Sequence, residues 1–159
     1  MMNPIPIRYY RRNSPQALSR VLFMLMIADG ALGRREVDAL ARLRAFELLG
    51  IKPEAFAKVA RSYCSDLLNA EDANGRIRIF DPERIDTVLE AVDDPDKRLL
   101  VCALALNVLA AEDRFSAHEL NAFQYVIGRW NLNLDEMYRQ LLRACEPTPE
   151  RSAPMPMAA

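Results

Sequence analysis

Few side chains in this sequence can do chemistry. There is one histidine, His118, and there are three cysteines, Cys64, Cys102 and Cys145. No CxxC pair occurs and no cysteine has a histidine beside it, so most catalytic triads and four-ligand zinc sites are excluded. Cys102 lies in LLVCALAL and is read as a small buried hydrophobe. Three widely spaced thiols are expected to stay reduced. Five glycines build no phosphate-cradling loop. Carboxylates remain. Asp29 closes an apolar stretch and Glu36 follows it; Glu112, Asp113 and Glu119 repeat that arrangement further along. Carboxylates combined with turn carbonyls and waters suit a hard divalent cation, Ca²⁺ or Mg²⁺, although the spacing is not that of a twelve-residue EF-hand loop. The same residues also have a purely local use. Glu36 and Glu119, at the third position of a helix, reach back to the cap amide and sit in the positive end of the helix dipole. Asp29, Glu112 and Asp113 are close enough to the next helix start to accept from its free N–H groups. His118, in the first turn of a surface helix, is expected in solvent.

A basic cluster forms the second candidate. Arg8, Arg11, Arg12 and Arg20 all precede the first acid, Asp29, with Ile5, Ile7, Tyr9 and Tyr10 interleaved. Residues Arg8, Tyr9, Tyr10, Arg11 and Arg12 could contact a protein partner or lie peripherally on an anionic membrane. Alternatively, the arm is strapped over the body with its tyrosines in a groove. Four arginines are few for an anionic-membrane or a nucleic-acid surface. The whole chain carries 21 Lys+Arg against 22 Asp+Glu, and the helix after Gly33 bears Glu36 and Asp38. A helix-turn-helix reader is therefore rejected, and no nucleic-acid partner is expected. No nucleophile or supporting histidine accompanies Asp29 and Glu36, so no catalytic residue is assigned and the chain is expected not to be an enzyme.

These residues must be positioned by helices. At 159 residues, 51% apolar and 27% charged, the chain has the size and composition of one globular domain. No signal-peptide core is present at the N-terminus. The longest apolar runs, 21–28 and 99–111, are shorter than the roughly 20 residues of a membrane span, so both are expected to be buried helices of a cytoplasmic protein, at most at the inner face of the membrane. Ser14-Pro15 starts the first helix, which runs to about Asp29. A second helix carries Val37, Leu40, Leu43, Phe46 and Leu49 inward and stops at Gly50. Pro53 opens a third, with Phe56, Val59, Ala60, Tyr63 and Leu67 on one face. The segment 76–80 reads as a connector. Asp81-Pro82 and Asp94-Pro95 open two more, the latter leading into LLVCALALNVLAA. Ser116-x-x-Glu119 is a capping box for a helix with Leu120, Phe123, Ile127 and Trp130 inward, and a last helix follows Asn133. The expectation is an all-α bundle of about seven helices: a basic arm (1–13), a helical domain (14–146) and a disordered Pro/Ala/Met tail (147–159).

The two halves repeat. IADGALGRREVDALARL (27–43) aligns with AAEDRFSAHELNAFQYV (110–126), pairing Ala28 with Ala111, Asp29 with Glu112, Leu32 with Phe115, Glu36 with Glu119 and Leu40 with Phe123. GIKPEAFAKV (50–59) then aligns with NLNLDEMYRQ (131–140). At these residues the sequence resembles the TerB-like family of bacterial tellurite-resistance proteins, a domain found also in a membrane-anchored DnaJ-type co-chaperone. The resemblance covers about residues 14–145. It rests on Ala28-Asp29-Gly30-Ala31-Leu32 with Glu36, on Leu49-Gly50-Ile51, and on Ala111-Glu112-Asp113-Arg114-Phe115 with Glu119. It departs from the family pattern at Glu112-Asp113, where Asp-Gly is usual, and at Gly33, where a Ser or Asp cap is common. The resemblance implies a non-catalytic binding module in a stress-response or envelope-associated complex, with a divalent cation at the acidic residues. A pure protein–protein scaffold, with a groove between helices for a partner helix, is the alternative.

Overall fold

The computed structural model describes residues 8–28, 34–69, 81–110, 117–133, 135, 136 and 139, and among these the chain is all-helical, without a strand. The helices are α1 (Pro15–Met26), α2 (Arg34–Arg42), α3 (Ala45–Leu49), α4 (Pro53–Leu68), α5 (Pro82–Glu90), α6 (Pro95–Ala110) and α7 (Ala117–Trp130). Their starts follow the local chemistry. Ser14 accepts a hydrogen bond from the Ala17 amide and Pro15 takes the first helical position. Asp81 accepts from the Glu83 amide ahead of Pro82. Asp94 accepts from the amides of Asp96 and Lys97 at 2.9 and 3.4 Å. Asn133 does the same for Asp135 and Glu136 at 2.7 and 3.3 Å. Ser116, segment 76–80 and the tail 147–159 lie outside the described residues.

Helices α1 and α6 form the centre. Residues 17–26 of α1 are buried without interruption, and α6 buries 101–105 with Val108 and Leu109. A helix apolar on nearly every side is stable only when covered all round. Helix α1 packs chiefly on α6 and α4, α2 lies on α6, and α7 touches both central helices. The start of α1 is fixed to the end of α5 through Asn13, which donates its backbone amide to the Ala91 carbonyl at 2.7 Å. Phe23 meets Phe56 and Tyr63 edge-on at 6.5 and 6.0 Å, and Phe46 meets Phe56 at 5.3 Å. Among the described residues, no helix is long and apolar enough to cross a membrane.

Three expectations are corrected. The helix expected to run from Gly33 to Leu49 is two helices, because Arg44 adopts the left-handed conformation (φ 56°) between α2 and α3. The stripe itself carried the reason. Apolar residues at steps of three drift by about 60° per step on a helix of 3.6 residues per turn, so Val37 and Leu49 could not share a face without a break. Val37 and Leu120, both expected inward, are exposed. Helix α1 ends at Met26 rather than near Asp29.

Candidate functional site

Among the described residues, three places gather chemistry: the heads of α2 and α7, the N-terminal arm, and a trough between α2 and α4. At the heads of α2 and α7, Glu36 and Glu119 are each 1% exposed. The buried described positions of α2 are Glu36, Ala39 and Leu40, with Leu43 just past its end, and those of α7 are Glu119, Ala122, Phe123, Val126 and Trp130. Both sets follow helical spacing, so a carboxylate heads each otherwise apolar stripe. Asp29, Glu112 and Asp113 lie outside the described residues, so only two of the five acidic candidates are placed. Among the described residues, no three His, Cys, Asp or Glu side chains gather to hold a metal ion. His118 is exposed.

The described part of the arm, from Arg8 to Asn13, crosses the body and is pinned along its length. Arg8 pairs with Asp66 at 3.0 Å and Arg12 with Asp93 at 3.2 Å. Asn13, left-handed at φ 60°, donates to the Asp93 carboxylate at 2.6 Å. Its side-chain oxygen accepts from the Asp93 and Asp94 amides at 2.9 and 3.1 Å. The hydrogen bond from Asn13, opposed by partial burial and aided by Arg12, holds the Asp93 carboxyl below its ordinary range. Tyr9 points outward, 83% exposed, while Tyr10 is half-buried with the Arg20 guanidinium over its ring at 4.6 Å. Arg11 is exposed.

Beneath the arm lies a hollow of about 230 Å³ lined by Arg8, Tyr9, Tyr10, Arg12, Arg20, Thr87, Glu90 and Ala91. Arg20 is 3% exposed and donates to the Arg8 carbonyl. Burial lowers its pKa, opposed by Tyr10, Asp66 and Tyr63. Nearby, the buried Arg84 pairs with Asp81 at 3.7 Å. Burial pushes the Tyr63 hydroxyl above its ordinary pKa, with Arg84 and then Arg20 pulling the other way.

The trough between α2 and α4 is apolar and holds about 770 Å³. Phe23, Leu40, Phe46 and Phe56 line it, and Val37, Asp38, Arg61, Cys64 and Leu68 stand at its edges. Val37 is 45% and Leu68 60% exposed. It continues, through Ala41, Phe46 and Pro53, into a second hollow of about 600 Å³ that reaches Gly50 and Lys52. Cys64 is exposed, and partial burial raises its thiol pKa, which makes it a poor nucleophile. No family model, curated protein or solved structure matches the chain.

Sequence reasoning missed three of these features. Arg20 was grouped with the basic N-terminal cluster, yet it stands amid the buried residues of α1, and its place between Ser19 and Val21 in the apolar run was the available signal. Asn13 was not singled out, although asparagine tolerates φ > 0 better than most residues and here stands directly ahead of a cap. The trough was invisible because it depends on how α2, packed on α6, and α4, packed on α1, come together.

Proposed function

We propose that this chain is a binding module that holds an amphipathic helix of a protein partner in the trough between α2 and α4. The observation that carries this is the pair of exposed apolar edges, Val37 on α2 and Leu68 on α4, flanking a floor of aromatic rings. Helix α4 has 16 residues, which at 1.5 Å per residue makes a trough wall of about 24 Å. That length takes a helix of four turns, anchored by bulky apolar side chains at i, i+3 or i+4, and i+7. Asp38 on one side and Arg61 on the other favour a basic flank against α2 and an acidic flank against α4.

The resemblance to the TerB-like family belongs to the same proposal. It is supported by the matching glutamates that head α2 and α7, and by two similar turns. Gly50 (φ 77°) and Asn131 (φ 51°) are both left-handed. The amide after each, of Ile51 and of Leu132, donates to a carbonyl five residues back, Phe46 and Ile127, a Schellman closure in both cases. On this view the module works without catalysis in a bacterial stress-response or envelope-associated complex, in the cytoplasm or at the inner membrane face.

A displayed library of helical peptides, selected on the purified chain, tests the trough. Selected peptides should share the apolar spacing above and lose at least tenfold in affinity to both Val37→Glu and Leu68→Glu, with thermal stability preserved. Selected peptides without that spacing, or binding insensitive to both substitutions, would overturn the proposal.

A divalent cation at the acidic turns is the second reading, favoured by the burial of Glu36 and Glu119 at equivalent positions. Chelator-stripped protein is melted with Ca²⁺, Mg²⁺, Mn²⁺ and Zn²⁺ beside Asp29→Asn/Glu119→Gln. Binding at 100 times Kd adds about 2.7 kcal/mol, and this increment should vanish in the variant. No increment with any ion leaves the glutamates as helix-head residues only.

A further inference from the structure

We propose that the hollow beneath the N-terminal arm is a binding site for one monoanionic oxyanion, a carboxylate or a phosphodiester, received by the guanidinium of Arg20. The proposal stands on the state of that side chain. Arg20 is 3% exposed and lines the hollow. Its contacts among the described residues are one hydrogen bond to the Arg8 carbonyl and the face of Tyr10. No described carboxylate lies within ion-pair distance of it, Asp66 acting on it only from farther away, and its Nε is buried without an acceptor. Arginine does not escape burial by deprotonating, and a buried charge with no carboxylate in contact is among the costlier arrangements in a protein. The other two arginines of the hollow differ. Arg8 and Arg12 already have their own carboxylates, Asp66 and Asp93.

The ligand class follows from shape and charge. A guanidinium is a planar fork that matches a carboxylate or phosphate oxygen pair. The hollow, about 230 Å³, takes a small molecule or a single headgroup. Glu90 on its lining repels additional negative charge, which favours a monoanion over a dianion. Tyr9, exposed at the hollow, offers a ring face to an apolar body attached to the anion. The ligand is either dissolved or carried on a membrane lipid, and the site chemistry is the same for both.

Calorimetric titration of the full chain with benzoate and with dimethyl phosphate, and co-sedimentation with vesicles of phosphatidylglycerol or of phosphatidylcholine, test this. The soluble probes should bind one to one and compete with each other. Arg20→Lys, which keeps the charge and loses the fork, should raise Kd at least tenfold. Binding confined to phosphatidylglycerol vesicles, absent on phosphatidylcholine and lost in Arg20→Lys, supports the site and assigns the lipid as its source. Glu90→Gln is a surface change independent of the core, and it should tighten binding several-fold even if Arg20→Lys fails to fold. Absence of binding to every probe, or binding unaltered in Glu90→Gln, would overturn the proposal. These outcomes are independent of the trough, whose variants lie on α2 and α4.

Discussion

Replacing Asn13 should loosen the arm and lower global stability by a calculable amount. The Asn13 side-chain oxygen accepts from two backbone amides, Asp93 and Asp94, at 2.9 and 3.1 Å. At about 0.5–1 kcal/mol each for partly hydrated bonds, their loss is roughly 1–2 kcal/mol. The bond to the exposed Asp93 carboxylate is omitted from this sum. Asn13 is also left-handed at φ 60°, so the substituent separates two effects. Glycine keeps that backbone conformation accessible and removes only the side-chain bonds. Alanine removes the same bonds and adds about 1 kcal/mol of left-handed strain. The expected order of stability is therefore wild type, Asn13→Gly, Asn13→Ala. Urea melts with unchanged m-values measure it, and amide exchange at Asp93 and Asp94 should accelerate in both variants. A glycine variant within about 0.3 kcal/mol of wild type, or an alanine variant no worse than glycine, would refute the role given to Asn13 in fixing α1 to α6.

Leu104, fully buried in α6, should cost about 2–5 kcal/mol as alanine, whereas Leu120→Ala should stay within about 0.5 kcal/mol; equal losses in denaturant melts would place Leu120 in the core. In a Cys145→Ser background, maleimide should label Cys64 in the native state and Cys102 only on unfolding, because burial pushes the Cys102 thiol up to about 12; mass spectrometry reads the order, and early labelling of Cys102 would contradict it. Asp93 has a folded pKa below its ordinary 3.8, so its contribution is present above that value and fades as pH falls through the lower folded one. The stability gap between wild type and Asp93→Asn should thus be widest above about pH 4 and shrink toward pH 2; urea melts across this range should show it, and a gap that widens on acidification would reverse the sign.

Much of the fold was legible because the signals were local. Ser14-Pro15, Asp81-Pro82 and Asp94-Pro95 each announce a helix start through a capping side chain followed by an imino acid, Asn133 does so through its side chain alone, and such chemistry does not depend on tertiary context. The two central helices were legible from composition, since an apolar run of helical length has to be covered. The facing of α2 and α7 was misread for one physical reason. Apolar residues alone were counted into the stripes, so Val37 and Leu120 were turned inward. In each helix the inward position one residue earlier belongs to a glutamate, and adjacent residues on a helix point about 100° apart.

That substitution of carboxylate for hydrocarbon at the head of each stripe connects the fold to the proposed trough. With Glu36 facing inward, Val37 is rotated off the core and onto the flank of α2 that faces α4. There it forms one edge of the apolar trough opposite Leu68. The break at Arg44 completes the geometry: it lets α3 resume with a new facing, which brings Phe46 against Phe56 on the trough floor. In α7 the same displacement exposes Leu120, but no left-handed break among its described residues follows before Asn131, and the helix runs through to Trp130. Helices α2 and α7 thus share the buried glutamate and the exposed apolar neighbour, and they differ in the turn that makes a trough beside α2. A change that restores a continuous helix across Arg44 would be expected to remove the trough while sparing the glutamate-headed stripe.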